Sequence, residues 1–256
     1  MLFAKGAAVR SGADIAKMRK AGLVVAEMHE RIREAIRPGV TTGKLDRVGR
    51  DVLARRGATS NFLGYASPPF PAVICASPNA MVVHGIPSDD VRLDEGDIIS
   101  IDCGAVVDGW HGDAAFTAPV GEVDADLLHL IEVAERSLEA AIETMIPGNR
   151  LGDIGNAVET VAREGGLSVV EGFTGHGIGR AMHEAPNVPN QGVAGTGLKL
   201  RAGNVLAVEP MLVLGDAEVE LLDDDWSVVT VSQDPAAHVE HTIAITEDGP
   251  WVLTRA

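Results

Sequence analysis

Apolar residues Ile15, Met18, Leu23, Val25, Met28, Ile32 and Ile36 recur near helical spacing and predict a helix over residues 14–36, closed by Pro38-Gly39. Leu45, Val48, Val52 and Leu53 share one face of a second predicted helix, residues 42–56, with Thr41 or Thr42 as its cap and Gly57 as its stop. Then the texture changes. Between residues 62 and 87 the chain carries Pro68, Pro69, Pro71, Pro78 and Pro87 with short apolar runs between them, a pattern of loops and short strands. Residues 98–107 and 110–120 read as two strands. Asp108-Gly109 joins them, a strong hairpin signal because the type I′ two-residue turn needs positive φ at both positions.

The same order then returns. Helices are predicted over residues 125–146, stopping at Pro147-Gly148, and over 151–163, ending at Gly165-Gly166. One constant offset carries Pro38-Gly39, Gly43, Leu45, Val52 and Gly57 onto Pro147-Gly148, Gly152, Ile154, Val161 and Gly166. A slightly smaller offset lays residues 93–102 over 200–209 and puts Asp102 on Glu209. Any two helix–helix–strand units share some of this pattern. The sharper reading is a single α/β domain, residues 1–256, built from two related halves (roughly 14–120 and 125–247) whose sheets meet at a site. No Pro/Ser-rich linker or charge run parts them.

Composition narrows the classes. Hydrophobic residues at 46% and charged residues at 23% are a globular balance, ample for a core in 256 residues. A net charge of −16 argues against general binding to nucleic-acid phosphates or anionic lipid. Two cysteines, Cys75 and Cys103, make no disulfide framework and lack the spacing of a thiolate zinc site. Residues 1–10 carry no long apolar run, and no stretch reaches the ~18–20 apolar residues of a membrane span. The expectation is a soluble, cytoplasmic protein.

Acids inside apolar runs are the chemical signal. With a two-residue turn at 108–109, Gly104 lies opposite Asp113, so Asp102 and Asp113 become diagonal neighbours on one face, ~7–8 Å apart along the backbone. Glu209 follows the run 205–208 and Glu240 lies within 238–245, each in what reads as a buried strand. A buried, unpaired carboxylate is costly, and these strands hold almost no basic residue, Arg201 being the nearest. For one such acid an ion pair is the ordinary explanation. For four together, a metal centre satisfies them at once.

His176 stands between Gly175 and Gly177, which lets an imidazole approach a site closely. The stretch 175–179 lacks the lysine and spacing of a phosphate loop. His84 is a further candidate. His29 and His129 read as structural or exposed, and nothing beyond adjoining strands distinguishes His111 or His238. Four carboxylates and an imidazole suit two ions of Mn, Fe, Co or Zn, ~3.5–4 Å apart, which can activate water and polarise a carbonyl. That is hydrolase chemistry with no serine or cysteine nucleophile.

Val83-His84-Gly85-Ile86-Pro87, the Asp102/Asp113 hairpin, Gly175-His176-Gly177-Ile178-Gly179, Val208-Glu209-Pro210 and Val239-Glu240-His241-Thr242, in that order and spacing, resemble the type I methionine aminopeptidases of the bacterial short form, in metallopeptidase family M24. The resemblance covers nearly the whole chain. It implies the pita-bread fold, an α/β (α+β) architecture of two pseudo-symmetric halves with antiparallel sheets covered by helices and a dimetal site at the centre. It implies Asp102 on one ion, His176 and Glu209 on the other, and Asp113 and Glu240 bridging both. The implied reaction removes initiator methionine from nascent proteins, preferring a small second residue, by attack of a hydroxide held between the ions.

The family pattern gives His84 a role as proton donor or hydrogen-bond partner of the scissile amide or new amine. It sets His183 against the substrate carbonyl and makes Glu209 a candidate proton shuttle. Phe62, Tyr65, Phe70, Cys75, Met182 and Trp226 fall at or near the methionine pocket. Phe62 stands where a smaller cysteine is frequent, Met182 stands where an aromatic is frequent, and residues 66–71 form a segment two residues longer than the common bacterial pattern. The resemblance further implies a monovalent cation near the site, a monomer, and substrates emerging from the ribosome, with no nucleic-acid or membrane partner.

Other readings remain distinct. A proline-specific aminopeptidase or dipeptidase on the same fold usually carries a substantial extra N-terminal domain. A non-catalytic binding protein on this scaffold would have lost metal ligands, and a purely structural set of buried acids would bind no metal.

Overall fold

The computed structural model describes residues 6–256, so the first five positions of the N-terminal reading lie outside the described residues. Ser11 opens α1 (Gly12–Ala35), its Oγ accepting the Asp14 amide. Thr41 caps α2 (Thr42–Arg56) through the Lys44 amide, and Gly57 closes it at φ +61°. Short strands β1 (Thr59–Ser60), β2 (Ile74–Pro78) and β3 (Met81–Val83) lead to the long hairpin of β4 (Ile98–Val107) and β5 (Trp110–Pro119). Asp108 and Gly109 take φ of +52° and +70°, the primed turn, and Gly104 faces Asp113 as the two-residue loop requires.

The second half opens with α3 (Ala125–Glu143) and α4 (Leu151–Glu164). Helix α3 stops short of the expected residue 146. Its last turn tightens to three-residue spacing, with the amides of Thr144 and Met145 donating to the Ala141 and Ile142 carbonyls, before Pro147. The strands β6 (Ser168–Val169), β7 (Thr174–Gly177), β8 (Glu184–Pro189), β9 (Val205–Val208) and β10 (Met211–Val213) follow. After them come β11 (Val219–Leu221), β12 (Val228–Thr230), β13 (Ala236–His238), β14 (His241–Thr246) and β15 (Gly249–Val252). Among the described residues no helix is long and apolar enough to cross a membrane.

The two halves repeat at the level of single hydrogen bonds. Gly39 donates to the Leu93 carbonyl and Gly148 to that of Leu200; Thr41 bridges Arg92 and Arg150 bridges Lys199. Helices α1 and α2 bury Met28, Ile32, Leu45 and Val52 on the sheet β1-β4-β2 with β5, while α3 and α4 bury Leu130, Leu138, Ile154 and Val158 on strands β9, β10 and β14. All the sheets are antiparallel.

The halves join along β5. Ala115 and Glu240 exchange both backbone hydrogen bonds, at 3.2 and 2.9 Å, and the Thr242 hydroxyl spans the Asp113 amide and carbonyl. Under this seam α1 lies almost on β5: a Cβ built on Gly112 would stand 2.8 Å from the Gly22 amide nitrogen. Gly112→Ala is therefore expected to destabilise by ~1–3 kcal/mol through overpacking beside Asp113. An unchanged urea midpoint would mean that the helix can yield at no cost.

Candidate metal centre

Asp102 and Asp113 arise from the hairpin as its register dictates. Asp102 pairs with Ala115 and Asp113 with Gly104, so both side chains leave the same face. Glu209 and Glu240 are placed differently from the sequence expectation. Neither lies inside a strand. Strand β9 ends at Val208 and β13 at His238, and the chain resumes as β10 at Met211 and β14 at His241.

At both points the chain passes from one sheet to another: β9 and β14 pair together, and so do β10 and β13. Pro210 has no N–H to continue the ladder, and its carbonyl instead accepts the Val239 amide. Glu209-Pro210 and Val239-Glu240 thus oppose each other at a double crossing, which frees both carboxylates from the sheet faces.

His176 lies on β7 beside Ala207 of β9. Its flanking glycines serve the sheet more than the imidazole. A Cβ at Gly175 would stand 2.3 Å from the Ala207 oxygen, and one at Gly177 would stand 2.3 Å from the Ala185 oxygen. The ring Nδ1 is 3.0 Å from the Gly177 carbonyl. A carbonyl only accepts, so Nδ1 carries the proton and Nε2 presents a lone pair. That lone pair points towards Glu209, whose Oε1 is 3.6 Å away.

Every site residue expected from the sequence borders one cavity of about 120 Å³. Its floor is acidic. Ligand atoms of Asp113, His176 and Glu240 lie within 4.8 Å of one another. Asp102 Oδ1, Asp113 Oδ1 and Glu240 Oε1 are buried with no hydrogen-bond partner.

Burial pushes the Asp102 carboxyl up to about 8. Asp113, Glu209 and Glu240 also move well above the ordinary carboxylate range, first through burial and then through neighbouring carboxylate charge, that of Asp102 for Asp113 and Glu209 and that of Asp113 for Glu240. His176 moves the other way, to about 4, through burial and then His183, so it stays neutral. Orphaned carboxylate oxygens around a neutral imidazole lone pair fit hard or borderline divalent cations.

Above the floor the wall is aromatic and soft. Phe70 meets Phe62 and Trp226 edge to face, at centroid distances of 6.4 and 5.1 Å, and Cys75 and Met182 pack with them. Tyr65 stands at the rim, its Oη 2.6 Å from Nδ1 of His183, and the His183 ring lies 4.3 Å from that of His176. His84 takes φ +62°, a left-handed conformation that costs a branched or β-carbon-bearing residue ~1–2 kcal/mol. It is held there by Gly85, whose amide donates to Ser77 Oγ and whose carbonyl accepts from Ala76.

One lining residue escaped the sequence reading. His238 borders the same cavity, with Nε2 3.7 Å from Oε2 of Glu209. The available signal was its spacing: His238 stands two residues before Glu240 in an apolar run.

The profile of metallopeptidase family M24 matches residues 16–247. A methionine aminopeptidase 1 of Mycobacterium tuberculosis is 50% identical over 252 residues, covering 96% of this chain and 94% of that protein. The chain belongs to family M24, among its methionine aminopeptidases. A Bacillus subtilis methionine aminopeptidase 1 is 45% identical, with 93% of this chain and 95% of that one covered. The crystal structure of methionine aminopeptidase from Thermotoga maritima superposes with a TM-score of 0.95 at 40% identity, covering 98% of this chain and all of that one.

The pita-bread fold of family M24 is thereby established, as is hydrolase membership. An Xaa-Pro dipeptidase from Bacillus anthracis shares the fold at 22% identity and a TM-score of 0.77, but this chain spans only 62% of it. Divalent metal dependence accords with the family and with the acidic floor.

Proposed function

We propose that the chain removes the N-terminal methionine of new polypeptides, with two divalent ions held by Asp102, Asp113, His176, Glu209 and Glu240. The observation that carries this reading is the convergence of orphaned carboxylate oxygens and the His176 lone pair at the floor of a cavity with an aromatic and thioether wall. By the family pattern Asp102 would hold one ion, His176 and Glu209 the other, and Asp113 and Glu240 would be shared between them. Four negative charges then balance two divalent cations. Because these ligands come from both halves, the whole chain acts as one catalytic domain.

Bound ions of this kind polarise a carbonyl and acidify water at neutral pH. The remaining tasks fall to the protein. His84, pushed down to about 4 by burial and then by His183, is neutral and donates a hydrogen bond to the scissile amide without adding charge. The Tyr65 hydroxyl donates to Nδ1 of His183, which leaves the ring proton on Nε2 to meet the substrate carbonyl oxygen. Glu209 would receive a proton as the amide breaks and deliver it to the departing amine.

Phe62, Phe70, Cys75, Met182 and Trp226 exclude water and accept an unbranched thioether side chain. A small second residue suits the narrow cavity. Mn, Fe, Co and Zn all match the ligand set, and the family adds a monovalent cation nearby. The enzyme acts as a cytoplasmic monomer on chains leaving the ribosome, and its −16 charge disfavours an RNA-mediated hold.

The test uses protein stripped of metal and resupplied with Mn or Co, incubated with Met-Ala-Ser, Leu-Ala-Ser and Ala-Pro-Ser and followed by mass spectrometry. Metal-dependent release of methionine alone is expected. Cleavage before proline would keep the metal centre and overturn the substrate. No cleavage and no retained metal would sink the enzymatic reading.

A further inference from the structure

We infer that His238 is a positioning residue for the metal centre: its Nε2–H donates to Oε2 of Glu209 and so turns Oε1 towards the ion shared with His176. The inference rests on the reading of Glu209 as a ligand.

Glu209 stands between two imidazoles. Its Oε1 is 3.6 Å from His176 Nε2, close to the separation of two donor atoms each ~2.0–2.2 Å from a common ion. Its Oε2 is 3.7 Å from His238 Nε2 on the other side. The two oxygens thus face different partners, which is the arrangement of a carboxylate that ligates through one oxygen and is held by the other.

His238 is 3% exposed, and its Nε2 is buried with no hydrogen-bond partner. A nitrogen lone pair facing a carboxylate is repelled, so the tautomer with hydrogen on Nε2 is favoured. A small rotation of either group shortens the gap to hydrogen-bond length once an ion draws Oε1 forward.

The backbone of His238 is fixed independently of its ring. Its amide donates to Ser100 Oγ at 3.2 Å and Thr117 Oγ1 at 3.0 Å, and the Thr117 hydroxyl, 2.9 Å from the His238 carbonyl, links that carbonyl to the pair. Ser100 and Thr117 contact each other at 2.8 Å, and both are buried. They sit on β4 and β5, the strands that carry Asp102 and Asp113. One pair of hydroxyls therefore locks β13 to the hairpin and sets the imidazole beside Glu209. Asn190 holds the Glu209 backbone, its Nδ2 donating to the Glu209 carbonyl at 2.9 Å. The backbone of Glu209 is then fixed before any ion arrives, and His238 stands ready to hold its carboxylate when Oε1 moves.

The experiment titrates Mn2+ by calorimetry into full-length wild type, His238→Leu and His238→Gln, each first stripped of metal, and measures kcat and KM on Met-Ala-Ser. Leucine keeps bulk and removes the donor. Glutamine restores an N–H that can reach Glu209. His238→Leu is expected to bind its tighter Mn2+ ~10–100-fold more weakly and to lose kcat more than KM. His238→Gln is expected to return both towards wild type.

If His238→Leu does not fold, His238→Asn takes its place, its amide being too short to reach Glu209. Wild-type Mn2+ affinity in the donor-less variant overturns the inference. Equal impairment in His238→Gln also overturns it, because the ring itself is then required. Wild type that binds no Mn2+ at all overturns instead the reading of the metal centre.

Discussion

Glu240→Gln is expected to lose methionine release by more than the ~10–100-fold that outer partners of a metal site cost, and to lose bound metal with it. The substitution is isosteric and removes one charge. Glu240 stands at the crossing between β13 and β14, where its backbone is already tied to Ala115 by two hydrogen bonds that glutamine leaves untouched. The fold should therefore persist. Its Oε1 is buried without a partner, and Asp113 is the neighbour whose charge adds most to the upward push on its carboxyl after burial. Glutamine stays uncharged at every pH, so it adds no crowding to the metal-free floor and the stripped variant should melt no lower than stripped wild type. Metal content by elemental analysis, activity on Met-Ala-Ser and the two melting curves together check this. A variant that keeps its metal and its activity would remove Glu240 from the ligand set.

Local chemistry made much of this site legible. The hairpin register follows from Asp108-Gly109 alone, and with it the shared face of Asp102 and Asp113. The ends of α2 followed from Thr41 and Gly57, because caps and stops are properties of a few neighbouring residues. The repeat was visible because the same packing problem is solved twice. Gly43 fits beneath Ser88-Asp89, and Gly152 beneath Val193 and Thr196.

What the sequence hid is non-local. The apolar pattern runs unbroken through Glu209 and Glu240, although the chain changes sheets there, and only Pro210 hints at the break. The glycines around His176 suggested room for a ligand, whereas they answer to the carbonyls of neighbouring strands. His238 carried only the weak cue of its spacing from Glu240, since its place beside Glu209 depends on hydroxyls from β4 and β5 more than a hundred positions away.

Restoring a divalent ion to stripped protein is expected to raise the melting temperature, and the rise should grow with pH. Free metal at 1,000 times its dissociation constant stabilises by about 4 kcal/mol, or ~8–16 °C for a chain of this size. The pH dependence follows from the carboxyls. In the metal-free fold Asp102 is pushed up to about 8, and Asp113, Glu209 and Glu240 are also raised, whereas the unfolded chain returns all of them to ~4. Between those values the folded state holds more protons than the unfolded state, so the metal-free protein loses stability as pH rises through the window. An incoming ion must displace the same protons, and its apparent affinity climbs over that range. His176, lowered to about 4, is already neutral and does not oppose binding above pH ~5. The gap between metal-loaded and stripped melting temperatures should therefore widen from pH 6 to pH 8, as calorimetry with and without Mn2+ would record. A gap that is constant or narrows would mean that these carboxyls are not the groups that receive the ion.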